Sequence, residues 1–409
     1  MLRWIIFILF YLFISFYGFQ AIKTVTKSAW VHYIFIALAL IIAGNFIIQF
    51  TVYSEGRVLN PSKSYAFGFL LAFLSLGLII IPILLGEDII RFIYGVYEKL
   101  VTKNNSFYLP SRRKFISQIA LGIAAVPFAS ILYGMYKGKY RFRVLNYTLH
   151  FEDLPDAFDG YRITQISDIH SGSFDNKEKI EYGVNLINEQ KSDIILFTGD
   201  MVNNKSSEME PWKQLFGKLS ANDGVYSVLG NHDYGDYVRW ETPEAKAQNL
   251  QDLVDIQKEM GYDLLRNESR FIEKNGARIA LIGVENWGAG GFKKAGDLKK
   301  AVKHIDKNDF KILMSHDPSH WEKEVINDDY HYHLTLSGHT HGMQFGIEIP
   351  GWIKWSPAKW RYKYWAGIYQ ELGQYINVNR GFGYLGYPGR VGIWPEITVI
   401  ELKKGTHSA

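Results

Sequence analysis

The chain has 409 residues, of which 47% are hydrophobic, 21% are charged and none is cysteine; its formal net charge is +4. Without cysteine there are no disulfides, iron–sulfur clusters, thiolate zinc sites or thiol nucleophiles, so any metal must be held by nitrogen and oxygen. The charge is unevenly divided: up to Arg143 there are 15 Lys/Arg against 4 Asp/Glu, and the remainder carries 30 against 37, which implies different surroundings for the two parts.

Four stretches of the first part lack Lys, Arg, Asp and Glu: Trp4–Ile22, Ser28–Ser54, Ser64–Gly86 and Phe115–Tyr136. A spanning helix needs about 20 apolar residues, so residues 1–143 are expected to form a membrane domain with about four transmembrane helices. Asn45 and Gln49 lie four apart on the second stretch, a spacing that suits polar contact between helices. From Asp88 to Leu100, Ile89, Phe92, Ile93, Val96 and Leu100 follow helical spacing. This segment reads either as an amphipathic helix on the membrane surface or as an extension of the third span. The run Ser111-Arg112-Arg113-Lys114 before the fourth span resembles a twin-arginine signal and reads equally as positive flanking charge. Six Lys/Arg fall between Arg91 and Lys114, which places that loop in the cytoplasm and sends everything after the fourth span outward.

From Val144 onward, short β-branched runs alternate with helical patterns. Ile163–Ser167, Asp193–Thr198, Gly224–Leu229, Arg278–Val284, Phe310–Met314 and Leu334–Leu336 read as strands. Lys177–Gln190, Pro243–Met260 and Ala295–Ile305 read as helices. The alternation predicts an α/β domain over residues 144–409, with helices on the faces of its sheets.

Several strands end in ligand-type residues. Ile166-Ser167 runs into Asp168-Ile169-His170, and Phe197-Thr198 into Gly199-Asp200. Val228-Leu229 runs into Gly230-Asn231-His232-Asp233, Leu313-Met314 into Ser315-His316, and Leu336-Ser337 into Gly338-His339-Thr340-His341. The carboxyl edge of an α/β sheet is where ligands bind. Carboxylate, amide oxygen and imidazole suit Mn²⁺, Fe and Zn²⁺. So many donors exceed the needs of one ion, and a carboxylate can bridge two.

These residues resemble the calcineurin-like metallophosphoesterase superfamily, whose motifs run D-x-H, G-D, G-N-H-[D/E], H and G-H-x-H in that order. The resemblance covers about Val144 to Leu402. It looks closest to bacterial membrane-associated members with a twin-arginine-like segment, which share Gly-His-Thr-His-Gly and a late Asn379-Arg380-Gly381 followed by Pro395-Glu396. It implies a two-sheet β-sandwich flanked by helices. It further implies two divalent ions (Mn, Fe or Zn): Asp168, His170 and His341 would hold the first, Asn231, His316 and His339 the second, and Asp200 would bridge. A hydroxide held on the ions would attack phosphorus in line, with His232 as general acid near the leaving oxygen. Many members read G-D-x-x-D, and the second Asp orients the catalytic histidine. This chain has Asn203 there, so an amide is expected to take that bond unless Asp233 supplies the carboxylate.

Other signals are read more plainly. Gly381-Phe-Gly383-Tyr-Leu-Gly386 matches a dinucleotide fingerprint but leads into Tyr387-Pro388-Gly389 rather than a helix. Arg380 suits either a substrate phosphate or a structural salt bridge. His331 and His333 read as a satisfied strand pair, and Asp317 as a turn residue before Pro318. Gly351–Trp365 interleaves Trp352, Trp355, Trp360 and Trp365 with Lys354, Lys359, Arg361 and Lys363, a mixture suited to a membrane interface or to a packed loop.

The expected function is a membrane-anchored binuclear-metal phosphoesterase that hydrolyses a phosphodiester or pyrophosphate, on a lipid-linked or envelope substrate. Its expected partners are the lipid bilayer and that phosphoester, with no nucleic acid. Its expected location is the bacterial inner membrane, with the catalytic domain outside the cytoplasm. Two alternatives remain: a sensor or transporter-associated protein with a non-catalytic phosphoesterase-like domain, and a cytoplasm-facing enzyme of lipid A or nucleotide-sugar metabolism.

Overall fold

The computed structural model describes residues 2–52, 60–102, 110–349 and 351–406. Lys103, one of the six positive charges of the third loop, and residues 53–54 at the end of the second apolar stretch lie outside them. The chain divides into two compact units: Met1–Ser54 with Ser62–Tyr136, and Glu55–Pro61 with Lys137–Ala409.

Among the described residues the first unit holds four α-helices: α1 (Leu2–Val25), α2 (Ala29–Thr51), α3 (Pro61–Tyr97) and α4 (Pro110–Tyr136). Each is long and apolar enough to cross a membrane. α1 and α3 share a core with α2 through Tyr11, Ile14, Ala39, Leu70 and Phe73, and with α4 through Tyr17, Ile80, Leu84, Ala120 and Ala124. Small residues permit the close approach: a Cβ on Gly77 would stand 2.3 Å from Ile14 Cγ2. Leu9, Leu40 and Leu78 point outward with more than half their surface exposed. Such an apolar exterior is stable in hydrocarbon.

α3 continues unbroken to Tyr97 and closes with a π turn over Glu98–Thr102. Asp88–Leu100 is therefore an extension of the third span. At 37 residues α3 is about 55 Å long, well beyond a hydrocarbon core of about 30 Å. The paired arginines clip α4 to this extension: Arg112 Nη2 lies 3.1 Å from Glu87 and Arg113 Nη1 2.6 Å from Asp88. Asn45 faces outward from the bundle and so does not join its helices, contrary to the expectation from its spacing.

The second unit is a mixed α/β domain. Its strands are β1 (Arg143–Phe151), β2 (Arg162–Ile166), β3 (Ile194–Phe197), β4 (Val225–Ser227), β5 (Tyr262–Leu264), β6 (Glu268–Lys274), β7 (Ala277–Gly283), β8 (Lys311–Met314), β9 (Leu334–Ser337), β10 (Ile347–Ile349), β11 (Ile353–Trp355), β12 (Gly367–Glu371), β13 (Gln374–Val378) and β14 (Glu396–Lys404). One six-stranded sheet has the order β1-β14-β2-β3-β4-β5, the other β12-β13-β9-β8-β7-β6, and β10-β11 is a separate hairpin. Ile163, Ile194, Leu196 and Ile400 of the first sheet pack against Ile279, Ile312, Met314 and Leu336 of the second. α5 (Lys177–Asn188) and α7 (Pro243–Glu259) cover the outer face of the first sheet, and α8 (Leu298–Ala301) packs on the second. The result is the expected two-sheet sandwich flanked by helices.

The helix read over Ala295–Ile305 shrinks to Leu298–Ala301. The amides of Ala295 and Gly296 both donate to the Asn286 carbonyl, so no helix forms before the Asp297 cap. Edge strands β5, β6 and β12 went unread because their exposed faces carry too little apolar alternation to stand out.

Candidate metal centre

The central strands β2, β3 and β4 run parallel in one sheet, as do β7, β8 and β9 in the other. Their carboxyl ends meet at one edge of the sandwich. Asp168 and His170 follow β2, Asp200 follows β3, and Asn231 and His232 follow β4. From the other sheet, His316 follows β8, while His339 and His341 follow β9. The loops are laced together by backbone bonds, with Asp168 N–H donating to Gly199 O (2.9 Å) and His170 N–H to Asp200 O (3.1 Å).

Two motif glycines make the approach possible. A Cβ on Gly338 would lie 2.3 Å from Asp168 Oδ2, and one on Gly230 would lie 2.2 Å from Asp200 Oδ1. The donor-bearing residues themselves adopt the left-handed region: φ is 52° at Asp168, 49° at His170, 59° at Asp200, 71° at His339 and 49° at His341. Non-glycine residues in that region cost about 1–2 kcal/mol each and cluster at functional sites. No sequence pattern signals this feature.

All the expected donors come together. Asp168, His170 and His341 form one group that could hold a metal ion, and Asp200, His316 and His339 form another. In the first group, His341 Nε2 lies 3.1 Å from Asp168 Oδ1 and 3.0 Å from His170 Nε2. In the second, Asn231 Oδ1 lies 2.8 Å from His339 Nδ1. Asp200 Oδ2 stands between the groups, 3.1 Å from His316 Nε2 and 3.6 Å from His170 Nε2. The His232 ring centroid is 4.9 Å from that of His170.

The electrostatics suit a cation. Burial would raise the Asp168 carboxyl, but the His341 imidazole outweighs it and holds Asp168 well below the usual carboxylate range. Asp200 is likewise buried, and is held low by His316 and His232. Burial pushes His170 and His339 down, keeping their rings neutral. His316 resists burial because the Asp200 carboxylate lifts it to about 10, so a metal taking His316 would displace a proton. His316 Nδ1 donates to the Thr198 carbonyl at 2.7 Å, which aims Nε2 at Asp200. Such support is usual for imidazole ligands. His170 Nδ1 is buried without a hydrogen bond, and His316 Nε2 and Asp317 Oδ2 are buried with only the ion-pair contacts to Asp200 and His339. Buried polar atoms so short of partners, in a set of oxygen and nitrogen donors, fit a cation site.

The expected amide partner for His232 is corrected. His232 Nδ1 donates to the main-chain carbonyl of Asn203 at 2.7 Å, while the Asn203 side chain bonds Ser173 Oγ. Asp233 does not substitute for it: its carboxylate accepts the backbone amides of Asp200, Met201 and Gly230. Burial and the Asp200 charge push the Asp233 carboxyl up to about 7. Arg380 is buried in a salt bridge with Glu396 and Glu348, so the structural reading holds and the phosphate reading falls. The Gly381–Gly386 run braces the Asp168 loop instead of cradling a nucleotide: Phe382 and Gly383 donate to Ser167 O and Asp168 O, both at 2.8 Å. His333 is satisfied, as expected, by the Lys311 amide and Asp153.

Several residues at the site carried no signal in the sequence. Tyr362 Oη lies 2.8 Å from His339 Nε2, and Tyr237 Oη accepts from Asn231 Nδ2 at 2.8 Å while its ring covers His232. Asp317, expected as a turn residue, does cap the next helix, and its second oxygen lies 3.3 Å from His339 Nε2. Its adjacency to His316 was the available clue.

Comparison with known proteins agrees with this geometry. Residues 2–139 match the family described as "Probable Calcineurin-like phosphoesterase, transmembrane domain", and residues 161–343 match "Calcineurin-like phosphoesterase". The metallophosphoesterase YkuE of Bacillus subtilis is 30% identical over 299 residues, covering 72% of this chain and 98% of that one. A zebrafish (Danio rerio) transmembrane protein with a metallophosphoesterase domain is 25% identical over 400 residues, covering 95% and 83%. A metallophosphoesterase of Aquifex aeolicus is 28% identical over 282 residues, covering 68% and 98%. The chain is therefore a membrane protein of the calcineurin-like metallophosphoesterases, metal-dependent phosphoester hydrolases, in the form that carries a four-helix transmembrane domain ahead of the catalytic one.

Proposed function

We propose that the chain is a binuclear-metal phosphoesterase acting on a phosphodiester or pyrophosphate. Asp168, His170 and His341 would hold one divalent ion, Mn, Fe or Zn. Asn231, His316 and His339 would hold a second, and Asp200 would join them. The observation that carries this reading is the place of Asp200 Oδ2, between His170 Nε2 and His316 Nε2.

Such ions supply charge neutralisation for phosphoryl oxygens and a nucleophilic water at neutral pH. The chain's own residues do the rest. The Asp200 carboxylate also accepts the His232 amide at 2.8 Å, which fixes the loop bearing His232. With Nδ1–H engaged by the Asn203 carbonyl, the His232 ring presents Nε2 to the site. From there a protonated ring can donate to the leaving oxygen. Tyr362 and Tyr237 hold His339 and Asn231 in place through their hydroxyls.

The test is metal content and hydrolysis of aryl mono- and diesters, phospholipids and sugar-nucleotide pyrophosphates by the purified full chain. Two equivalents of bound metal and diesterase or pyrophosphatase activity are expected. Asp200→Asn or His232→Ala retaining full metal-dependent hydrolysis would refute the assignment. We place the catalytic unit outside the cytoplasm of a bacterial inner membrane, near a lipid-linked or envelope substrate. The support is the basic run Arg112, Arg113 and Lys114 in the first turns of α4. A compartment-sensitive reporter fused after Ala409 distinguishes this from a cytoplasm-facing enzyme.

A further inference from the structure

The hairpin β10–β11 belongs to neither sheet, and its first strand leaves apolar side chains exposed. Ile347 pairs with Trp355, Glu348 with Lys354, and Ile349 with Ile353. Directly paired residues share a face, and neighbours alternate. One face is therefore Ile347, Ile349, Ile353 and Trp355, and the other is Glu348 and Lys354.

The polar face is the one tied to the rest of the domain: Glu348 is half-buried, and Lys354, though exposed along its stem, turns its head back to the chain. Glu348 is bound by the buried Arg380 at 2.5 Å, and Lys354 Nζ donates to the Ala366 carbonyl at 2.5 Å. These bonds fix a two-stranded hairpin that would be marginal alone. The apolar face is open along β10, where Ile347 is 51% and Ile349 42% exposed, and half-covered along β11 at Ile353 and Trp355. It is flanked by Trp352 and Trp360, 78% and 76% exposed, and the Trp360 ring stands edge-on to Trp355 at 5.9 Å. A contiguous exposed apolar patch of this kind marks an interaction surface.

We infer that this hairpin docks the catalytic unit on the interface of a bilayer bearing anionic headgroups. Charge and composition select that occupant. Residues 351–365 contain four basic residues and no acidic one, and Lys359 and Arg361 are exposed beside the tryptophans. Indole rings and cationic side chains together settle at headgroup level, and basic residues there are drawn to anionic lipid. The chain also keeps a bilayer close at hand. Its fourth span ends at Tyr136, and the catalytic unit starts at Lys137, so bilayer contact is a tethered event at high effective concentration.

The surface is continuous with the metal centre. The segment begins just after His341, and Ser356 Oγ donates to Gly342 O at 2.6 Å. At its far end Tyr362 reaches His339. Docking would therefore set Tyr362, and with it the His339 side of the metal centre, beside the headgroups. The inference does not depend on the metal number or on the reaction assigned above.

The absence of native cysteine allows single-site labelling of the full chain. Ile349→Cys, Ile347→Cys and a control, Gln251→Cys on the exposed side of α7, would each carry an environment-sensitive fluorophore. The proteins would be reconstituted in phosphatidylglycerol–phosphatidylethanolamine vesicles with or without a lipid spin-labelled near the headgroup. Labels at 347 and 349 are expected to shift to the blue and to be quenched severalfold more than the label at 251. Equal quenching at all three sites overturns the proposal. So does a blue-shifted label at 349 that persists in lipid-free amphipol with cross-linked dimers, because a second copy then covers the face. Two labelled positions guard against one of them perturbing the hairpin.

Discussion

Gly338→Ala tests whether the motif glycines exist to let the two sheets' donors meet. The added Cβ would lie 1.9 Å from Ser167 Oγ and 2.3 Å from Asp168 Oδ2. Non-bonded atoms settle at about 3.5 Å, so the Asp168 carboxylate must retreat by about 1 Å. It cannot do so freely, because it accepts the His339 amide at 3.1 and 3.0 Å and faces His341 at 3.1 Å. Moving it therefore disturbs two donors of the first ligand group, Asp168 and His341, and the main chain of His339 in the second. A misplacement of about 1 Å costs about 10²-fold in rate. The assay is metal content and initial rate on an aryl phosphodiester for the purified full chain, with thermal unfolding as the check on folding. The expected result is loss of metal from the Asp168 group and a rate about 10²-fold lower. Gly122→Ala, where a Cβ meets nothing within 4 Å, should leave both readouts unchanged. A Gly338→Ala protein with full metal and full rate would show that the loops adjust at no cost, and the steric reasoning would be wrong.

Further expectations rest on other contacts. Asn203→Asp should leave the pH–rate profile in place, because His232 is held by the residue-203 main-chain carbonyl; a displaced profile would restore the side chain to the mechanism. Asp233→Asn should cost more than Asn203→Asp, about 1–3 kcal/mol in chemical denaturation, because a carboxylate serving several buried amides becomes a poorer acceptor. Burial pushes His333 down to about 4, and its neutral ring accepts the Lys311 amide. The unfolded chain takes that proton near 6.5. Stability should thus hold above about pH 6.5 and fall between about 6.5 and 4, by at most about 3 kcal/mol. His333→Gln should flatten that part of the acid profile, and an unchanged profile would place the proton elsewhere.

The donors were legible because metal chemistry fixes their types and the sheet edges fix their places. Strands ending in Asp168, Asp200, Asn231, His316 and His339 could be read from apolar runs stopped by serine or glycine. What supports those donors could not be read. Tyr237 lies six residues after Asn231 and Tyr362 twenty-three after His339, and nothing in their neighbours distinguishes them from other aromatic residues. The left-handed backbone at Asp168, His170, Asp200, His339 and His341 is imposed by packing against local preference. Asn203 misled for a related reason: a side-chain amide is visible in sequence, whereas a main-chain carbonyl belongs to every residue. In the first unit, composition marked the spans, but only tertiary contact could show that Arg112 and Arg113 meet Glu87 and Asp88.

Strand β14 lies between β1 and β2, bonded to both. During synthesis, residues 143–166 emerge long before 396–404, so the slot between β1 and β2 stays open until that last segment has been made. By then all four spans and every proposed donor have already left the ribosome. A prematurely terminated product would consequently display an unpaired parallel edge on a tethered, unfinished sheet, the kind of surface that aggregates or attracts proteases. Quality control of this protein should therefore turn on the arrival of one late strand, with membrane insertion long since complete.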